Sequence, residues 1–95
     1  MLTGKQKRYL RALAQNENPL FQVGKDGLSD NFIQLMEDAF RTHELIKIKL
    51  LKTVSEDSKE LAFDIARLTN SELVQIIGRT LVFYRKAKEP KILLP

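Results

Sequence analysis

The sequence predicts an α/β domain, a two-layer sandwich of three helices on a small mixed sheet of about four strands, in the order α-β-α-β-α-β-β. Three observations lead there. Apolar residues recur at helical spacing in three separate segments, around Leu10, Phe32 and Leu61. Leu45 to Leu51 alternates instead, with Ile46, Ile48 and Leu50 on one side and Lys47 and Lys49 on the other. Two β-rich runs, Leu73 to Ile77 and Leu81 to Tyr84, flank Gly78-Arg79-Thr80, where a glycine can take the positive φ of a tight hairpin turn.

Each element carries its own start and stop signals. Thr3-x-x-Gln6 reads as a capping box, in which a hydroxyl and an amide satisfy backbone N–H groups at a helix start. Leu10, Leu13 and Ala14 form the buried stripe of that helix, and the stretch from Asn16 to Pro19 ends it. Leu20 to Val23 is a short strand. Ser29 is the N-cap of a second helix with a wide buried face of Phe32, Ile33, Leu35, Met36, Ala39 and Phe40. His43 and Glu44 close it, and His43 serves as a partner for the helix dipole at its C-terminal end. Leu61, Ala62, Ile65, Ala66 and Leu68 belong to the third helix, which stops at Thr69-Asn70 because asparagine tolerates the left-handed conformation. Phe83 and Tyr84 alternate across the last strand, so one of them is expected in the core. The expected domain spans residues 1–85, followed by an extended or loose basic tail, residues 86–95, with two prolines.

Composition removes several classes of function. A chain of 95 residues has room for one modest core, and its hydrophobic content of 43% with 29% charged residues is that of a globular protein. With no cysteine and one histidine, neither a disulfide framework nor a thiolate zinc site can be built. The N-terminus lacks the apolar stretch of a signal peptide and no run is long enough to span a bilayer, so a cytoplasmic location and no membrane partner are expected. Glu60 and Asp64 share a helical face, but nothing nearby completes a metal or hydrolase site. No catalytic residue and no cofactor are assigned.

Charge is informative through its placement. Residues 1–11 carry Lys5, Lys7, Arg8 and Arg11 and no acid, and residues 78–95 carry Arg79, Arg85, Lys86, Lys88 and Lys91 against Glu89 alone. The segment between them is net acidic. If the two basic ends meet in the fold they make one face that attracts a polyanion. Charge runs are as often solvated termini as binding faces.

Gly24-Lys25-Asp26-Gly27 is the motif that selects among polyanions. Two glycines at this spacing allow a sharp turn and close approach by a ligand, and the helix beginning near Ser29 aims its unpaired N–H groups at the same place. The motif fits neither the P-loop nor the Gly-x-Gly-x-x-Gly dinucleotide fingerprint, which leaves a nucleic-acid backbone as the better ligand. Alone, a glycine pair is more often a plain connection. Lys49 and Lys47 can contact phosphate or simply guard the sheet, and Arg79 at a hairpin tip has even odds of a contact role.

The blocks Leu2 to Gln6, Gly24 to Leu28, Glu44 to Ile48, Leu73 to Arg79 and Leu81 to Arg85 occur in the order found in a known family. From Leu2 to about Arg85 the chain resembles the bacterial YhbY-like proteins of the CRM (chloroplast RNA splicing and ribosome maturation) domain family. The resemblance implies a fold like the C-terminal domain of a bacterial translation initiation factor. It implies RNA binding through Gly24 to Gly27 and the basic positions Lys47, Arg79 and Arg85, on precursors of the large ribosomal subunit. Asp26 stands where relatives more often have a basic residue or glycine, and Asn70 where glycine is common.

Together these readings describe a non-enzymatic, monomeric RNA-binding protein of large-subunit assembly. Gly24, Lys25, Asp26, Gly27, Lys5, Lys7, Arg8, Arg11, Lys47, Lys49, Arg79 and Arg85 form its contact set. A protein-interaction module docking an acidic partner on the same basic face is the alternative.

Overall fold

Thr3 Oγ1 accepts from the Gln6 N–H at 3.1 Å and Gln6 Oε1 accepts from the Thr3 N–H at 3.0 Å, so the capping box forms and starts α1, Gly4–Ala14. In the computed structural model, which describes residues 1–24, 27–54 and 56–95, the remaining elements follow in the expected order. They are β1 (Phe21–Val23), α2 (Asp30–Phe40), β2 (Leu45–Leu50), α3 (Ser58–Thr69), β3 (Glu72–Ile77) and β4 (Thr80–Tyr84). Ser29 caps α2 by accepting from the Phe32 N–H, and Asn70 ends α3 in the left-handed conformation at φ 51°. Gly78 turns the β3–β4 hairpin at φ +56°.

The four strands form one mixed sheet in the spatial order β1-β2-β4-β3, with β1 parallel to β2 and the other pairs antiparallel. One face is the main core. Ile46, Ile48 and Leu50 of β2 and Leu81 and Phe83 of β4 meet Phe32, Met36 and Phe40 of α2 and Leu61, Ala62 and Ile65 of α3. Phe21 and Phe32 lock β1 onto α2 edge to face, with centroids 6.3 Å apart.

The sheet and the α2–α3 layer make the expected sandwich, and α1 covers the sheet's other face. There Leu10 and Ala14 pack with Val74, Val82 and Tyr84. Phe83 and Tyr84 are therefore both buried, on opposite faces, because each face of β4 has a helix over it. Tyr84, beside Arg85, is thus a packing residue. Its burial, followed by the nearby Glu44 charge, raises its phenol pKa.

The tail is neither extended nor loose: it bends at residues 88–89 and 91–92 and wraps around Glu44. Glu44, 7% exposed, accepts backbone N–H bonds from Ala87 at 3.3 Å, Lys91 at 2.6 Å and Ile92 at 2.8 Å. Ile92 and Leu94 then join the α1 cluster, and Gln6 Nε2 donates to the Pro95 carbonyl. Two other expectations fail at helix margins. Leu35 is 50% exposed and Leu68 44% exposed, since each lies just off the line of its helix's buried stripe, and Thr69 takes the inward place instead. No described helix is long and apolar enough to cross a membrane.

Candidate nucleic-acid interface

On the α1 face, strand register sorts side chains into three rows. Leu45, Tyr84 and Glu72 make the first, Lys47, Val82 and Gln75 the second, and Lys49, Thr80 and Ile77 the third, extended onto β1 by Gln22. The start of α1 lies at β3, where the Met1 ammonium is 3.3 Å from Glu72. Its end lies at β2, where Lys47 Nζ donates to the carbonyls of Ala14 at 3.2 Å and Glu17 at 3.3 Å. Val82 in the middle row is 1% exposed beneath the helix.

The tail occupies one side of α1, the side carrying Gln6 and Leu13. At one residue per 100° of rotation, Lys7, Arg8 and Arg11 fall on the opposite flank. That flank faces the third row and the hairpin tip.

The glycine loop arrives at the same edge. β1 runs parallel to β2, so Gly24 emerges beside the end of β2, where the Leu51 N–H donates to the Val23 carbonyl and the Leu50 N–H to the Arg79 carbonyl. The Gly27 N–H closes the loop on the Gly24 carbonyl at 2.9 Å. Lys25 and Asp26 lie outside the described residues. Gly27 has φ +60°, whereas a Cβ on Gly24 would meet Leu51 Cδ1 at an ordinary 3.6 Å. Only the second glycine is demanded by backbone conformation. The start of α2 points here as well, though Ser29 already accepts from the Phe32 N–H and Asp30 places a carboxylate in the first turn. Arg79 donates to the Val54 carbonyl at 3.5 Å, which ties the hairpin tip to the β2–α3 loop.

One edge of the fold thus gathers Gly24, Gly27, Lys49, Arg79 and the Lys7, Arg8 and Arg11 flank. Three of the residues singled out in the sequence stand apart. Lys5 is exposed on the outer side of α1. Lys47 has its ammonium on the Ala14 carbonyl, the last of α1, and on that of Glu17 just beyond it, and serves that helix as a C-terminal cap. Arg85 lies at the opposite end of β4, where its Nη1 donates to both Glu37 oxygens at 3.0 and 2.9 Å and to the Thr69 carbonyl at 2.8 Å. Its guanidinium sits 4.6 Å from the Phe40 ring centroid.

Glu44 is the residue whose structural role sequence reasoning missed. Burial opposes its charge, and the N–H groups of Ile92, Lys91 and Ala87 more than offset that, so its pKa is lowered. The open cleft of about 600 Å³ above it, lined by Arg41, His43, Lys88 and Lys91 among others, lies at the tail end of the sheet, away from the glycine loop. His43 Nδ1 sits 3.3 Å from the Ala39 carbonyl, at the helix end it was expected to serve. Among the described residues no three His, Asp or Glu side chains gather as a metal site.

Comparison with known proteins agrees with this architecture. The model of the CRS1 / YhbY (CRM) domain matches residues 2–85. A Bacillus subtilis (strain 168) protein named Probable RNA-binding protein YqeI is 46% identical over 91 residues, covering 96% of this chain and 95% of that protein. A Haemophilus influenzae protein named RNA-binding protein is 39% identical over 94 residues, covering 99% and 95%. The solution structure of a hypothetical Staphylococcus aureus protein superposes with a TM-score of 0.85 at 51% identity, over the whole of both chains. The chain belongs to the CRS1/YhbY (CRM) domain family.

Proposed function

We propose that this protein binds RNA without catalysing a reaction, and that it does so on ribosomal RNA during assembly of the large ribosomal subunit. The observation that carries the reading is the meeting at one sheet edge of the glycine loop, Lys49, Arg79 and the Lys7, Arg8 and Arg11 flank of α1. A sugar-phosphate backbone lying in the angle between loop and helix would be neutralised from both sides. Lys25, within the loop's sequence, adds a cation. Contacts of this kind position RNA more than they read it. The names of the two bacterial relatives support RNA as the polyanion. The protein acts as a monomer in the cytoplasm on this reading.

Sedimentation of the tagged protein from a low-salt lysate tests the assembly role. Migration with large-subunit precursors, abolished by ribonuclease, is the expected result. A native complex that survives ribonuclease would instead favour docking to an acidic protein. Purified Lys25→Glu is expected to lose RNA affinity while melting near the parent temperature. If it unfolds, the loop is a structural element.

A further inference from the structure

The third row of the sheet has no part in the phosphate-binding reading except through Lys49. Register aligns Gln22 of β1, Lys49 of β2, Thr80 of β4 and Ile77 of β3 side by side on the α1 face. Neither α1 nor the tail covers them. Gln22 and Lys49 are exposed, Thr80 is half-exposed, and Ile77 is 58% exposed despite its apolar side chain. The strands are about 4.8 Å apart, so the four side chains span roughly 14 Å, enough for more than one nucleotide.

The chemistry of this row differs from that of its surroundings. Lys7, Arg8 and Arg11 border it on the helix and Arg79 stands at its hairpin end, all cationic and suited to phosphate. Three of the four row residues carry no charge. A glutamine amide can pair two-pronged with a base edge, and a threonine hydroxyl both donates and accepts. An exposed isoleucine gives the flat face of a base an apolar contact that a phosphate would not use. The row holds no aromatic ring, so bases would be read at their edges and not by the stacking seen on other RNA-binding sheets. Such contacts need unpaired bases, because an RNA duplex buries their edges in a deep, narrow groove.

We infer that the row Gln22, Lys49, Thr80 and Ile77 reads the bases of a single-stranded RNA segment whose backbone is held by the adjacent α1 flank and hairpin tip. The inference rests on the RNA-binding reading above and goes beyond it, since it assigns sequence preference to a row of sheet side chains that adjoins the glycine loop.

The test uses the full chain and a library of randomised single-stranded RNA. Affinity for an enriched sequence is compared with affinity for its scrambled counterpart by fluorescence anisotropy. In the Gln22→Ala/Thr80→Val double variant the ratio of the two affinities is expected to fall at least about tenfold. In Lys7→Gln/Arg11→Gln both affinities are expected to fall together and their ratio to persist. Circular dichroism melts establish that each variant is folded. An unchanged ratio in Gln22→Ala/Thr80→Val, or a library that yields no preferred sequence although RNA is bound, would overturn the base-reading row alone. Absence of any RNA binding by the parent chain would overturn the reading beneath it.

Discussion

Lys47 caps the helix that crosses above it, with its Nζ 3.2 Å from the carbonyl oxygen of Ala14. A cation placed at the negative end of a helix also meets the helix dipole. Lys47→Met is therefore expected to cost about 1 kcal/mol of stability, a fall of about 4–8 °C in melting temperature for a domain of this size. Lys49→Met, two residues along the same strand and exposed, is expected to change stability by less than about 0.5 kcal/mol while weakening RNA binding. Thermal melts of the two variants, followed by RNA titration, separate the roles of these neighbours.

Glu44 holds the tail through three backbone amides, so its loss should free the tail before it unfolds the core. In Glu44→Ala the amides of Ala87, Lys91 and Ile92 are expected to lose hydrogen-exchange protection while those of β2 and β4 retain theirs. The pH dependence has a definite sign. Because folding lowers the Glu44 pKa, its charge stabilises the fold above the ordinary glutamate value of about 4.3, and that contribution is lost as pH falls through the lower folded value. Protection factors of the three amides in an acid titration provide the measurement. Equal loss across the whole sheet would mean that the tail is part of one cooperative unit.

The two loop glycines should respond differently to alanine. Gly27→Ala places a Cβ at φ +60° and 2.6 Å from Glu56 Oε1, and is expected to destabilise by at least about 1 kcal/mol even after the glutamate moves aside. Gly24→Ala has room beside Leu51 and is expected to fold normally. If RNA backbone approaches Gly24 closely, this second variant loses affinity without losing stability. Urea denaturation paired with an RNA titration distinguishes the two cases.

Arg85 is expected to behave as a structural residue. Arg85→Met removes the Glu37 pair and the donor to the Thr69 carbonyl, and should cost about 1–3 kcal/mol. Glu37→Gln should cost less in the Arg85→Met background than in the parent, because the two share one interaction. A double-mutant cycle by urea denaturation measures that coupling. RNA affinity of the folded Arg85→Met protein is expected to stay near the parent value.

Binding should depend steeply on salt. With about five phosphates neutralised on a single strand, affinity is expected to fall by about two orders of magnitude between roughly 50 and 200 mM salt. Removing one cation of the α1 flank, as in Arg11→Gln, should flatten the slope by about 0.7. A salt-independent complex would argue against phosphate contacts altogether.

Much of this fold was legible because its punctuation is local. The Thr3 and Ser29 caps, the left-handed Asn70 and the Gly78 turn each act within a few residues, so sequence alone located them. The alternation of Ile46, Ile48 and Leu50 likewise identified the core face of β2 directly. What stayed hidden depends on distant partners. Lys47 and Lys49 look equivalent along a strand, and only the placement of α1 makes one a cap and leaves the other exposed. Arg85 reads as one more basic residue until Glu37, Phe40 and the end of α3 are seen around it. Glu44 gave no sign of burial, since its ligands are amides more than forty residues away in the chain.

β3 bends its register between Leu73 and Gln75, so that Leu73 pairs with Phe83 and Gln75 with Val82. The strand thereby contains one residue beyond what regular pairing needs. Deleting Val74 or Gln75 would leave Leu73 and Ile76 facing α3 as they do now, whereas deleting a residue between Ile76 and the turn would shift the phase of the hairpin end. Natural length variation within this strand should therefore concentrate at the bulge, where a gap costs one side chain and does not reverse the sheet's two faces.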